Sequence, residues 1–240
     1  MNVNTKGTAN LVNQAIAQNI HKFIHVSSVA ALGVPKSPAD VNETFVFENT
    51  TGVSAYALSK HLAEREIWRG IEEGLNAVIV NPSIILGRAD WAKSSMKLFQ
   101  RVSERMTYYS PGSTGFVDVR DLVKTMIFLA ESEYHSDLFV INGVNISYKD
   151  LFDKISREIG VKGPKKLAPR WIAEIMWRLE YLTYLITGRE ALLTKETVET
   201  AFRKRSYDSR KISDISGITF RSIEETIQWV VEGKRASGGF

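Results

Sequence analysis

The chain has no cysteine among its 240 residues. That excludes a disulfide framework, a thiolate metal site and a cysteine nucleophile, and it fits a reducing, cytoplasmic setting. Proline is scarce, at six residues, so no collagen-like or polyproline tract exists. No block of five or six like charges occurs, and 31 basic against 27 acidic residues leave a net charge of only +4. Charge therefore suggests no nucleic-acid role. The opening segment, MNVNTKGTANLVNQAI, lacks a basic stretch followed by an apolar run and does not read as a signal peptide. The most apolar long stretch, residues 171–186, carries Glu174, Arg178 and Glu180 and is too short and too charged to span a bilayer.

What is present, 44% hydrophobic and 24% charged residues, is the composition of a globular chain long enough for one α/β domain with a small appendage. Apolar periodicity predicts helices over 3–18, 55–73, 91–104 and 122–130. Short β-branched runs predict buried strands at 22–28 and 77–81, the second stopped by Pro82, an extended segment at 116–119 and a third strand at 137–142. Asp121 is expected to open the fourth helix. Beyond 145 the strands are expected to stop. Ser147 with Asp150 forms a capping-box pattern, Gly160 closes the helix it starts, and further helices follow at 171–187, 194–202 and from Ser222 onward. The alternation predicts an α/β fold with a parallel sheet covered on both faces over residues 1–145, and a mainly helical region over 146–240.

Tyr56 and Lys60, in SAYALSKHLAE, are four residues apart on a predicted helix and share a face. A phenol with a pKa of about 10 is a poor acid or base at neutral pH, but an adjacent ammonium favours its ionised form. Such a pair can pass a proton to or from a carbonyl or alcohol oxygen. The spacing alone is weak evidence, because Tyr207 and Lys211 repeat it. Context separates the two. Tyr56 follows a strand that runs into Ser27 and Ser28 and precedes one that ends Asn81-Pro82-Ser83. Ligands of open α/β sheets bind at such carboxyl ends.

These residues resemble the extended branch of the short-chain dehydrogenase/reductase superfamily, the NAD-dependent epimerase/dehydratases. NVNTKGTANL at Asn2 to Leu11 is similar to that family's central helix, and KFIHVSSVAALG to its strand carrying a catalytic serine. Asn42-Glu43-Thr44, then YALSKHLAE, resembles the active-site helix and its approach; VNPSIILG and FVDVRDLV resemble later family segments. YDSRK followed by IEETIQWV is similar to the tail of dihydroflavonol-reductase-like and 3β-hydroxysteroid-dehydrogenase-like members. The resemblance implies a Rossmann-like doubly wound parallel sheet with a helical substrate region. It implies hydride transfer at NAD or NADP, with Ser28, Tyr56 and Lys60 catalytic. It further implies that Asn4, Ser27, Asn81, Pro82 and Ser83, with Tyr56 and Lys60, meet the cofactor. Reduction of a ketone or oxidation of a secondary alcohol is the first expectation. A nucleotide-sugar 4-epimerase is the alternative, and a noncatalytic fragment or binding protein the rival of another class.

Such proteins begin with a strand and a G-x-x-G-x-x-G turn that holds the pyrophosphate at a helix N-terminus. Gly112 and Gly115 are three apart, but Asp118 stands at the third position; Gly160 and Gly163 follow a helix. Since the central-helix motif starts at residue 2, the chain is expected to be a truncated form, without roughly the first ninety to one hundred residues of the family pattern and its N-terminal strands. The chain alone is accordingly expected to be inactive. The resemblance also implies a homodimer through the helices 3–18 and 55–73, with Leu11, Ile16, Leu62 and Ile67 supplying apolar surface. His21 and His25 are too far apart on a strand to share a metal, so no metal is expected. The aromatic helix with Trp171, Trp177, Tyr181 and Tyr184 reads first as packing, with a wall over an apolar substrate or a weak membrane-surface contact as the functional rival.

Overall fold

The structure, a computed structural model, describes residues 2–33, 40–45, 53–188 and 195–238. The chain opens with α1 (Asn2–Ala17), β1 (Phe23–Val26), a 3-10 turn (Val29–Leu32) and β2 (Asp40–Val41). Next come α2 (Ala55–Glu72), β3 (Ala77–Pro82), β4 (Ile84–Leu86), a second 3-10 turn (Ser94–Met96) and α3 (Lys97–Ser103). They are followed by β5 (Tyr108–Tyr109), β6 (Ser113–Asp118), α4 (Val119–Glu131), β7 (Asp137–Ile141) and β8 (Val144–Ser147). The last stretch holds α5 (Tyr148–Ile159), β9 (Lys166–Leu167), α6 (Arg170–Thr187), α7 (Lys195–Phe202), β10 (Ser206–Tyr207), α8 (Arg210–Ser216) and α9 (Ile223–Ala236). Two compact units result. One comprises Met1–Ile85, Gly115–Val144 and Ser206–Ile223; the other comprises Leu86–Thr114, Asn145–Arg205 and Glu224–Phe240.

The first unit is built on the parallel sheet β1-β3-β7, with Phe23 opposite Ala77 and Val80 opposite Phe139. All six residues of β3 are buried. Because side chains alternate along a strand, β3 feeds two cores. Ala77 and Ile79 pack with Val12 of α1 and Ile67 of α2, whereas Val78 and Val80 pack with Leu122 and Leu129 of α4 and Ile212 of α8. Helices thus cover both faces, as a doubly wound parallel sheet requires. YDSRK serves this unit structurally. Tyr207 is buried, Ser209 Oγ donates to Asn142 O at 2.6 Å, and Lys211 Nζ donates to Leu138 O at 3.0 Å and pairs with Asp137.

In the second unit α3 packs on α5, and β5 pairs in parallel with β9. Ser147 caps α5 as expected: its Oγ accepts from Asp150 N at 3.0 Å and donates to the Asp150 carboxylate at 2.7 Å, and Gly160 ends α5 in the left-handed region at φ 87°. Trp91 and Phe99 meet at 5.3 Å between ring centres, and Arg88 lies over Trp229 at 4.6 Å.

Several expectations are corrected. The helix over 91–104 shrinks to α3 and its leading 3-10 turn, because Asp90 draws the Ala92 N–H to its own side chain at 2.9 Å and makes a turn instead. Pro82 lies inside β3; its missing N–H falls on the β1 side, one step beyond the last bond there, Ser27 N to Val80 O. Asp118, not Asp121, caps α4, accepting from Arg120 N at 2.8 Å. Asp121 is buried in the first turn and accepts from Arg221 N at 2.8 Å. Strands do not stop at 145, for β8, β9 and β10 follow, though the last two have only two residues each. Of the apolar residues assigned to a dimer face, Ile67 is fully buried and Ile16 packs against the core, while Leu11 is exposed. No described helix is long and apolar enough to cross a membrane.

Gly70 shows how closely α1 and α2 approach. A Cβ there would stand 2.5 Å from Val12 Cγ1 and 3.3 Å from Leu75 Cδ2. Gly70→Ala is expected to destabilise the protein by about 1–3 kcal/mol in urea titration, despite alanine's better helix propensity. Combined with Val12→Ala it should cost less than the sum of the two single changes.

Candidate active site

Helix α2 sets the site. Ser54 caps it, its Oγ accepting from Ala57 N at 3.0 Å, so Tyr56 lies in the first turn, where it is 51% exposed. One turn on, the half-buried Lys60 Nζ donates to Val26 O at 3.2 Å, the last carbonyl of β1. Ser28 follows two residues later. Its Oγ accepts from Ala30 N at 3.2 Å and caps the 3-10 turn, which leaves its own hydroxyl hydrogen to donate outward. Burial lowers the Lys60 pKa, and the charge of Glu64 partly restores it.

The site has a member that motif reading did not single out. Glu64, four residues beyond Lys60, is 4% exposed. Asn81 at the end of β3 is 0% exposed, and its Nδ2 donates both to Glu64 Oε1 at 2.7 Å and to Ser28 O at 3.0 Å. One amide thus joins α2, the end of β3 and the backbone of Ser28. Burial pushes the Glu64 carboxyl up to about 7, against the pull of the Ser27 hydroxyl, the Asn81 amide and Lys60. His25, on β1, is lowered to about 4 by burial and then by the charge of Lys60. The signal for Glu64 was its spacing, since residues 56, 60 and 64 share one helix face.

The other expected cofactor residues are placed as follows. Asn4 Nδ2 donates to Ser59 Oγ at 3.0 Å, across the α1–α2 contact. The Asn81 side chain is turned to Glu64 and Ser28. Ser27 and Ser83 are buried, and neither Oγ has a hydrogen-bond partner. Pro82 is the last residue of β3. Beside this group, a cleft of about 690 Å3 is lined by Leu32, Phe45, His61, Glu64, Trp68 and Lys211 among others. It meets the network at Glu64; Ser28, Tyr56 and Lys60 are not in its wall.

The glycines weighed as a phosphate turn do other work. Gly112 is pressed against the backbone of residues 201–203, where a Cβ would stand 2.3 Å from Ala201 O. Gly115 packs on Asn142, Tyr207 and Ser83. Among the described residues, no group of three or more His, Asp or Glu side chains could hold a metal.

At the end of β1, in a parallel sheet covered on both faces, Ser28 and the Lys60 ammonium sit at the edge where ligands of open α/β sheets bind. The model of the NAD dependent epimerase/dehydratase family matches residues 1–141. The chain belongs to that family. It is 24% identical to a provisionally named dihydroflavonol 4-reductase of Synechocystis over 230 residues, covering 93% of this chain and 67% of that protein. Five further curated relatives are covered over 41–51% of their own lengths. Among solved structures, it is similar to a nucleoside-diphosphate-sugar epimerase from Pseudomonas aeruginosa, with a TM-score of 0.79 and 18% identity over 99% of this chain and 75% of that one. It is also similar to the Bordetella bronchiseptica enzyme WbmH in complex with NAD+, with a TM-score of 0.71 and 18% identity over 98% and 69%. These likenesses show a Rossmann-like fold.

Glu64 generates a pH dependence. The folded protein holds its proton up to about pH 7, the unfolded chain only to about 4.5. The stability this contributes is full below about pH 4.5 and is lost as pH rises through 7. Glu64→Gln keeps an acceptor for Asn81 and does not titrate. Its stability relative to the parent should therefore rise by about 2 kcal/mol between about pH 5 and about pH 8 in urea titrations.

Proposed function

We propose that this chain carries the proton-relay site of an NAD(P)-dependent oxidoreductase that interconverts a ketone and a secondary alcohol. The observation that carries the proposal is the seat of Lys60. Its ammonium is anchored on Val26 O beside Ser28, on the same helix face as an exposed Tyr56. Membership of a NAD-dependent family and the resemblance to a reductase support it.

The residues fit the nicotinamide-ribose end of the cofactor. Lys60 uses one N–H on Val26 O and keeps two for the ribose hydroxyls. Ser83 Oγ is a buried hydroxyl still in want of a partner at the end of β3. Bound NAD(P) would supply or accept the hydride. Ser28 would donate its hydroxyl hydrogen to the substrate oxygen and fix its position. Tyr56 would pass the proton between its phenol oxygen and that oxygen, and the Lys60 charge would attract negative charge forming on the phenol. Asn81 and Glu64 would hold Ser28 and α2 in register. The pyrophosphate has no comparable cradle among the described residues. Held by these residues alone, without phosphate contacts of about 1.5–3 kcal/mol each, either dinucleotide is expected to bind no tighter than millimolar. Calorimetry with NADH and NADPH tests this, and a micromolar Kd for either would overturn it.

The relay is tested with the nucleotide-binding segment of a relative joined ahead of residue 1. Tyr56→Phe should then lower ketone reduction at least about a hundredfold with cofactor affinity retained. Lys60→Ala should weaken both, and Tyr207→Phe neither. Full activity in Tyr56→Phe would sink the assignment; 4-epimerisation of a nucleotide sugar without net NADH turnover would favour the epimerase reading.

We also propose a homodimer through the outer faces of α1 and α2, where Val3 and Leu11 are exposed. Light scattering at micromolar concentration should give twice the chain mass, and Leu11→Glu should halve it.

A further inference from the structure

Helix α6 lies in the second unit and shows an unusual amount of apolar surface. Trp171 is 64% exposed and Leu179 56%, and Ile175 and Leu182 are about half exposed. At positions i, i+4, i+8 and i+11 these four form one stripe along the helix. Tyr181 and Tyr184, also exposed, lie off this stripe with their rings 6.4 Å apart, Tyr184 on the opposite face of the helix. The polar partners of the helix are already engaged. Glu174 is bonded to Trp177 Nε1 at 2.9 Å and to Arg178 at 2.8 Å, and Glu180 pairs with Arg101 at 3.7 Å.

The approach to this helix is strongly one-signed. Lys162, Lys165, Lys166 and Arg170 are exposed, and no acidic residue stands between Glu158 and Glu174. Leu167 and Trp171, both exposed, sit among these cations. An apolar stripe that begins with a tryptophan and is led by a basic segment matches a surface that is greasy below and negative above. A second copy of the chain offers a poorer match, since it would bring the same cations and its helix acids are held by arginines.

We propose that α6 and the basic segment before it dock this chain on an anionic lipid surface, with α6 lying in the plane of the headgroups. Trp171, Ile175, Leu179 and Leu182 enter the acyl boundary while Lys162, Lys165, Lys166 and Arg170 meet lipid phosphates. The helix does not cross the bilayer. The proposal is independent of the reaction assigned to Tyr56 and Lys60.

Sedimentation with sucrose-loaded vesicles tests it, using phosphatidylcholine alone and phosphatidylcholine with about a third phosphatidylglycerol. The full chain should bind the anionic vesicles at least about tenfold more tightly, and the difference should shrink as salt rises. Trp171→Glu with Leu179→Glu should abolish binding with the melting temperature unchanged. Should that pair unfold the protein, Trp171→Ala with Leu182→Ala should still weaken binding several-fold. Lys162→Glu with Lys165→Glu and Lys166→Glu should erase the preference for anionic lipid. No binding to anionic vesicles, or equal binding by parent and variants, overturns the proposal. So does a lipid-free dimer that the Trp171→Glu, Leu179→Glu pair dissociates, which would mean that a second copy covers the stripe.

Discussion

A strand buried on both faces must satisfy inside the protein every polar group it carries, and β3 imposes that condition on its surroundings. Its alternating residues demand one helical layer from α1 and α2 and another from α4 and α8. Its neighbours β1 and β7 take its backbone bonds. Only Asn81 is polar in this strand, and it is wholly buried. An amide there without partners would cost about 1–3 kcal/mol per unsatisfied group. Glu64 and the Ser28 carbonyl meet its two N–H groups while its Oδ1 has no partner, so it is the donor side of this amide that ties α2 and the backbone of Ser28 to the end of β3.

That solution has its own cost. Glu64 is a carboxyl held in a core, and its proton is bound more tightly as a result. Lys60 on the next turn suffers the opposite effect of the same burial, and His25 across from it stays neutral down to about pH 4. Three titratable groups near the end of one small sheet therefore have ionisation set by desolvation first, and then by a charged neighbour for Lys60 and His25 and by polar neighbours for Glu64. The anchor of Lys60 on Val26 O compensates part of its lost hydration, and an ion that is half-buried keeps donors for a ligand.

Much of this was legible from the chain because it depends on local pattern. The strands at β1, β3 and β7 show as β-branched runs, and α5 announces itself with Ser147, Asp150 and Gly160. Family motifs led to Tyr56, Lys60 and Ser28. Less legible were elements whose form depends on distant partners. Two-residue strands such as β9 and β10 have no periodicity to read, and α8, seven residues long, is defined by its seat on β7 and α4. The chain passes between its two compact units five times. The crossings at 85, 114, 205 and 223 leave no mark in composition. The segments 34–39 and 46–52, between the expected strand at 22–28 and the expected helix at 55–73, lie outside the described residues.

The two Tyr-x-x-x-Lys pairs show what spacing can and cannot decide. Both obey the same rule, and the lysine of each reaches the sheet. Lys211 meets Asp137 and Leu138 O at the entry of β7 and lies over the Phe139 ring at 4.7 Å, with every interaction inside the protein. Its partner Tyr207 starts before α8 and is buried in the core, in β10 beside β2. Lys60 reaches the opposite end of the sheet, the exit of β1, and its partner Tyr56 stays exposed. In a parallel sheet the entry end is where loops come back and the exit end is where ligands bind. One pair is consequently suited to packing and the other to chemistry. The difference lies in the direction of the strand behind the lysine, which the four-residue spacing does not encode.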